Sequence, residues 1–468
     1  MLDEELLKLA KSKRYPFHMP GHKRRMEGLG DPYQIDITEI EDFDDLHDPR
    51  GMILKEEKAL AEIYGADRSY LMVNGSTGGN LAAVFAATHP GDTIIMGRNS
   101  HKSVYHAAEL QHLCTVYAYP EISKEGMVLG IGKEEYQRVI LEHPEATAVV
   151  LTSPTYEGRI EPLAEITALA HERGMAVIVD AAHGAHLGWD PYFPASPLDS
   201  GADLVVMSLH KTLPALTQTA VLHYQKNPKA PQASEILKKR VEKYLVRFQT
   251  SSPSYVLMAS MSRCIRFLEE ERDAFAAYAE RLQEFYRWCE DLERFNVRAE
   301  EGQDPSKVVI YAGSTGLLGG EIQKRLCQES LLDLEMSSFS YCLAMTSVMD
   351  TTEGLQRLFH ALQTLEKDSQ SEEKEVILPF WEGRVRPGES AMQLWEAADR
   401  PWKILPLEES IGLVAAEEVS LYPPGIPILV PGERIRKENI ELLNLAKDSG
   451  LKITGLFQES TEGISVVI

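Results

Sequence analysis

Five places in this 468-residue chain set chemically able side chains at the end of an apolar run. The sharpest is Ser208-Leu209-His210-Lys211-Thr212, directly after Leu204-Val205-Val206-Met207. Such a run reads as a buried strand of a parallel sheet. A lysine just past a buried strand is desolvated, which lowers its pKa and favours Schiff-base chemistry with a carbonyl. Val177-Ile178-Val179 ends in Asp180, three residues before His183, and Ile94-Ile95-Met96 leads to Asn99-Ser100-His101-Lys102. Val149-Val150-Leu151 leads to Thr152-Ser153-Pro154-Thr155-Tyr156, and Leu71-Met72-Val73 leads to Asn74-Gly75-Ser76-Thr77-Gly78-Gly79-Asn80. Each terminus alone reads equally as a solvated loop, the usual fate of lysines and carboxylates. Their coincidence at one end of one sheet reads as a ligand site, because open α/β sheets bind ligands at the carboxyl ends of their strands.

The elements that must position these residues follow from the pattern around them. Strands are expected at 69–73, 93–96, 115–119, 146–152, 176–180 and 204–207. Helices are expected at 53–64, 81–88, 103–111, 133–142 and 162–173. Alternation of this kind builds βαβ units, a largely parallel sheet and helices on both faces. The Gly-rich turn from Asn74 to Asn80 sits between a strand and a helix, and so offers N–H groups and hydroxyls to an anion. Its spacing is neither the dinucleotide nor the Walker pattern.

Beyond residue 225 the alternation stops. One long helical region is expected from about Tyr255 to Phe295, with Phe275, Tyr278, Leu282, Phe285, Cys289 and Leu292 on its buried face. The polar stretch Lys367-Asp368-Ser369-Gln370-Ser371-Glu372-Glu373-Lys374-Glu375 reads as a linker. The expected organisation is an N-terminal arm at 1–50, a large domain at 51–260, a small α/β domain at 261–368 and a C-terminal domain at 376–468. The arm contains Phe17-His18-Met19-Pro20-Gly21-His22-Lys23 and an acidic stretch from Asp36 to His47. That stretch reads either as solvated loop or as carboxylates near a cationic ligand.

The whole-chain balance narrows the function classes. Lys and Arg total 48 against 71 Asp and Glu, a net charge of −23. Nucleic acid and anionic membranes need a basic face, so neither is an expected partner. A small cationic substrate is compatible with the balance. Five scattered cysteines without a CxxC suggest neither disulfides nor zinc, and no metal site is expected. The N-terminus has no secretory pattern and no run approaches membrane-spanning length, so a cytoplasmic protein is expected.

Pyridoxal 5'-phosphate asks for a lysine, a carboxylate at the pyridinium nitrogen, an anion cradle and a flat group over its ring. The strand ends supply all four: Lys211, Asp180, the set Gly75, Ser76, Thr77, Ser208 and His210, and His101. At this point the sequence resembles the Orn/Lys/Arg decarboxylase family. The stretches that carry the resemblance include His18-Met19-Pro20-Gly21-His22-Lys23, Asp45-Leu46-His47, Asn99-Ser100-His101-Lys102-Ser103 and Pro154-Thr155-Tyr156-Glu157-Gly158. Others are Asp180 to His186, Ser208-Leu209-His210-Lys211, Ser252-Pro253-Ser254-Tyr255 and Tyr422-Pro423-Pro424-Gly425-Ile426-Pro427. They span nearly the whole chain, and the chain is most similar to short bacterial members without an N-terminal wing domain.

The resemblance implies a fold type I pyridoxal-phosphate enzyme that decarboxylates arginine, lysine or ornithine, with arginine narrowly preferred, in polyamine biosynthesis. It implies that Lys211 holds the cofactor, Asp180 pairs with its ring nitrogen, His101 stacks on its ring and His183 lies near it. Ser76, Thr77, Ser208 and His210 would bind phosphate. Lys211 or His210 would return a proton to Cα. It also implies a homodimer or higher homo-oligomer with shared active sites, with Thr250 or Ser251 reaching a neighbouring subunit's cofactor. An aminotransferase or lyase, and a weakly catalytic protein that senses the cofactor or a basic amino acid, are the competing readings. The acidic stretch from Glu39 to Asp45 is expected to help bind the substrate's distal cation.

Overall fold

The computed structural model describes residues 2–369, 389–421, 426–458 and 462–468. The expected turn at Tyr422-Pro423-Pro424-Gly425 and the linker from Gln370 onward lie outside these residues.

The centre of the molecule is a seven-stranded sheet. Its strands are β1 (Arg68–Met72), β2 (Thr93–Gly97), β3 (Cys114–Ala118), β4 (Ala146–Thr152), β5 (Ala176–Asp180), β6 (Leu204–Ser208) and β7 (Ala220–Tyr224). They lie in the order β1-β7-β6-β5-β4-β2-β3. All are parallel except β7, which runs antiparallel between β1 and β6. The sequence reading missed β7, because a hairpin rather than a full helix connects it to β6 and the βα period is broken there.

Side chains alternate across a strand, and both faces of this sheet are covered. Ile95, Val149, Val177, Val179, Val205 and Met207 share one core with the helices Met52–Tyr64, Leu163–Glu172 and Tyr255–Glu270. Met72, Ile94, Met96, Val150, Ile178, Leu204 and Val206 share the other with the helices Gly75–Ala87, Lys102–Leu110 and Pro231–Phe248. This double burial explains the near-continuous apolar runs in the sequence.

Two expectations need correction. The Gly-rich stretch is no separate turn, because the helix begins at Gly75 and includes it. A Cβ on Gly79 would stand 2.7 Å from Val206 Cγ1, so glycine here lets the helix lie close on the sheet. The region from Tyr255 to Phe295 is two helices, Tyr255–Glu270 and Asp273–Cys289. They break at the charged run Glu270-Glu271-Arg272-Asp273, and Phe267 and Phe275 pack together across the break.

A smaller antiparallel sheet joins Lys307–Tyr311, Tyr341–Met345 and Met336–Ser337. The N-terminal segment is tied to this part of the molecule. Tyr15–Phe17 pairs in parallel with Leu332–Leu334, and the buried Lys23 ammonium donates to the carbonyls of His18 and Met345 at 2.9 and 2.8 Å. The last part holds two three-stranded sheets and the helix Lys437–Asp448. Among the described residues, no helix is long and apolar enough to cross a membrane.

Candidate active site

The carboxyl ends of β4, β5 and β6, the segment after β2 and the N-terminus of the helix Gly75–Ala87 converge on a cavity of about 270 Å³. Its lining includes every residue expected at the cofactor: Gly75, Ser76, Thr77, His101, Asp180, His183, Ser208, His210 and Lys211.

Lys211 follows β6 in a single helical turn, Leu209–Thr212. Its Nζ stands 3.0 Å from Nε2 of His183. Burial lowers the lysine pKa from its ordinary value, and Asp180 partly restores it. The amine is thus closer to its neutral, nucleophilic form than a surface lysine. Burial and the same lysine hold His183 well below the ordinary histidine range, so its ring is neutral.

Asp180 ends β5 on the face that carries Ile178, toward the helix Gly75–Ala87. Its carboxylate accepts hydrogen bonds from Asn80 Nδ2 at 2.8 Å and from the Ala182 N–H at 3.1 Å. Burial raises the Asp180 pKa, while Lys211, Asn80 and the Ala182 N–H pull it back. A buried carboxylate in this balance gains strongly from a cation beside it.

The Asn80 amide also donates to Ser103 Oγ at 2.9 Å, and Ser103 lies 2.9 Å from Nδ1 of His101. His101 caps the helix Lys102–Leu110, and its Nδ1 accepts the Ser103 N–H. The hydrogen bonds therefore assign the ring hydrogen of the neutral His101 to Nε2. Burial, reinforced by Lys211, pushes the His101 pKa down to about 3. A chain of contacts thus runs from Asp180 through Asn80 and Ser103 to His101.

Ser76, in the first turn of its helix, and Ser208, at the end of β6, place their hydroxyls 2.7 Å apart. A helix N-terminus with two hydroxyls suits an anion. His210 is more committed: its Nδ1 is 2.8 Å from the Thr219 carbonyl, and burial lowers its pKa to about 4. Several buried polar atoms of the site have no protein partner among the described residues, including both side-chain atoms of Asn99, Thr152 Oγ1 and Nδ1 of His183. Together with the Asp180 carboxylate and the Gly75–Thr77 cradle, they suit a polar, phosphorylated, nitrogen-containing ring.

The acidic stretch is not in this cavity. Glu39, Glu41 and Asp42 are exposed. Asp44 instead accepts the N–H groups of Arg50, Gly51 and Ile53 at 2.8–2.9 Å, capping the helix Met52–Tyr64. Burial opposes the Asp44 charge, but these bonds outweigh it and hold the pKa below the usual carboxylate range. Thr250 and Ser251 also lie outside the cavity and are exposed, with the Thr250 carbonyl 2.8 Å from Nε2 of His47.

The sequence reading missed Asn80, Glu335 and Ile426 as site residues, although all three line the cavity. Asn80 lay inside the supposed turn. Glu335 lies between the short strands Leu332–Leu334 and Met336–Ser337, which belong to different sheets, and nothing local marks it. In the structure it accepts the Tyr156 hydroxyl and, at 2.9 Å, the Met19 N–H. A second cavity, about 430 Å³ and mostly apolar, adjoins the first and shares Glu335 and Ile426 with it.

The Orn/Lys/Arg decarboxylase major-domain model matches residues 2–293, and the C-terminal-domain model of the same family matches 373–467. The chain belongs to the Orn/Lys/Arg decarboxylase family. It is a fold type I enzyme that uses pyridoxal phosphate and decarboxylates a basic amino acid. An arginine decarboxylase of Bacillus subtilis (strain 168) is 33% identical over 99% of this chain and 96% of its own length. An arginine decarboxylase of Bacillus anthracis is 30% identical over 95% and 92%. In structure, this family member is similar to the Francisella novicida lysine decarboxylase, with a TM-score of 0.78 at 19% identity, over 99% of this chain and 80% of that one.

Proposed function

We propose that the substrate is arginine, that the chemistry is carried by Lys211, Asp180, His101 and His183, and that Glu335 receives the substrate's distal cation. The observation that carries the reading is one cavity holding Lys211, Asp180 and one further carboxylate, Glu335. Lys211 is the residue that bonds the cofactor. Gly75, Ser76, Thr77, Ser208 and His210 would hold its phosphate, and His101, kept neutral by burial, would pack on its ring. Asp180 would pair with the ring nitrogen. When bound, pyridoxal phosphate supplies an electron sink for the pair left as the Cα–carboxylate bond breaks.

The chain's own residues do the rest. Lys211, as its ammonium beside His183, gives a proton to Cα and is left as the free amine. His210 is a weaker candidate for that task, because the Thr219 carbonyl occupies its Nδ1. A guanidinium or ammonium entering a partly buried site needs an anion to offset its desolvation. Asp180 is committed to the ring, which leaves Glu335. Arginine is preferred over lysine and ornithine because the two full-length relatives above are arginine decarboxylases.

The same reading includes a cytoplasmic homodimer, with Thr250 or Ser251 facing a neighbouring site, and a product amine that feeds polyamine synthesis. The test is kcat/KM for arginine, lysine and ornithine with the product amines identified. Arginine should exceed the others by at least about tenfold, a gap of ~1.4 kcal/mol. A higher value for lysine or ornithine would replace the substrate and leave the chemistry standing.

A further inference from the structure

Arg98 directly follows the last residue of β2 and stands three residues before His101. Its side chain does not enter the cofactor cavity. It is buried against the C-terminal part of the chain, where all five guanidinium N–H groups are engaged. Nε and Nη2 make a forked pair with the Glu433 carboxylate at 3.2 and 3.0 Å. Nη1 donates to the Pro427 carbonyl at 2.7 Å and to the Tyr105 hydroxyl at 3.1 Å, and Nη2 reaches the Ile428 carbonyl at 3.4 Å. The Tyr105 hydroxyl donates back to the Arg98 carbonyl at 2.8 Å. The rings of Tyr105 and Tyr117 lie 5.8 and 5.7 Å from the guanidinium carbon.

We propose that Arg98 and Glu433 are positioning residues, through which the C-terminal domain sets the Asn99-Ser100-His101 segment and the Ile426 wall against the cofactor. Two placements support this. Asn99, next to the arginine, and His101, three residues on, line the cavity, and so does Ile426, which adjoins Pro427, whose carbonyl accepts from Arg98. One clasp therefore fixes both walls at once. Second, a fully buried ion pair is a poor device for stability alone, since its desolvation offsets most of the attraction, whereas a forked Arg–carboxylate pair fixes distance and angle. Tyr105 belongs to the helix that His101 caps, so the clasp grips that segment from both sides. The C-terminal domain is on this account part of the catalytic apparatus.

The inference rests on the reading of His101 as the residue that packs on the cofactor ring. The test uses holoenzyme reconstituted with pyridoxal phosphate and reads kcat, KM for arginine, Tm and the visible circular dichroism of the bound cofactor. Glu433→Gln keeps the shape and removes the charge. Arg98→Met combined with Glu433→Gln removes both buried charges and keeps most of the volume. Tyr105→Phe removes two clasp hydrogen bonds and no charge, and serves if the charge variants do not fold.

The expected result is a kcat at least about tenfold lower in a folded variant, an altered cofactor dichroism and a KM changed less than threefold. Glu433→Asp, which can still pair with Arg98, should recover part of the loss. A folded double variant with wild-type kcat and dichroism would overturn the inference, and so would a lowered Tm with unchanged dichroism. His101→Asn separates the two failures. If it leaves kcat and dichroism untouched, the reading of His101 fails. If it alters both while the clasp variants alter neither, only the clasp fails.

Discussion

The strand edge of the central sheet and the wall facing it were built by different rules. On the edge, Asp180, Ser208 and Lys211 each follow a buried run within four residues, and their positions follow from sheet topology. On the wall, Glu335, Ile426 and the Arg98–Glu433 clasp come from three separate parts of the chain, around residues 98, 335 and 426–433, brought together by domain packing. The edge holds the groups proposed to serve the cofactor whatever the substrate. The wall holds the carboxylate proposed to choose the substrate. The proposal therefore puts chemistry and selectivity on two surfaces, whose perturbation should give different kinetic signatures.

The largest expected effect lies on the edge. Lys211→Ala should lose turnover below detection and lose the visible absorbance of lysine-bound cofactor, as checked by spectroscopy of the purified protein. Retained absorbance would point to another lysine. Asp180→Asn should keep the cofactor and lower kcat by about 100-fold, the scale of a hydrogen bond to a charged group. On the wall, Glu335→Gln should lower kcat/KM for arginine by roughly 30-fold, about 2 kcal/mol for a truncated charge pair, with most of the change in KM. A loss confined to kcat would move Glu335 to the chemical side of the comparison.

Smaller effects separate site from scaffold. His101 has a pKa of about 3 in the folded protein, against 6.5 as its ordinary value. Between those values the unfolded chain binds a proton that the folded chain does not, so this histidine removes stability as pH falls from 6.5 toward 3. Near pH 5, His101→Asn should flatten the fall in apoprotein stability by up to about 1.4 kcal/mol per pH unit, measured by denaturant unfolding. Asp44→Ala should cost about 1 kcal/mol of stability through its lost cap, and change KM less than twofold. Raised KM in that variant would return the acidic stretch to the pocket.

What was legible follows the same division. Periodicity located six of the seven central strands to within a residue or two, because a doubly covered parallel sheet writes each strand as an apolar run. The polar residue ending each run then named the edge of the site. The antiparallel β7 broke that rule and was missed. Gly78 and Gly79 looked like loop, because glycine used for close helix–sheet contact cannot be told locally from glycine used for a turn. The dense carboxylates from Glu39 to Asp45 drew attention by number, yet Asp44 caps a helix and the single Glu335 reaches the cavity. Nothing near Glu335 in sequence could show that, since its neighbours Tyr156 and Met19 lie far along the chain.

The central claim is that this pocket removes the carboxyl group of arginine and keeps its amine. The most direct measurement supplies purified holoenzyme with arginine labelled at the carboxyl carbon, and follows labelled carbon dioxide together with the organic product. The account predicts labelled gas and the decarboxylated amine in equal amounts, both abolished by Lys211→Ala. Arginine turned over with its labelled carboxyl retained in a 2-oxo acid would contradict it and make the pocket an aminotransferase site.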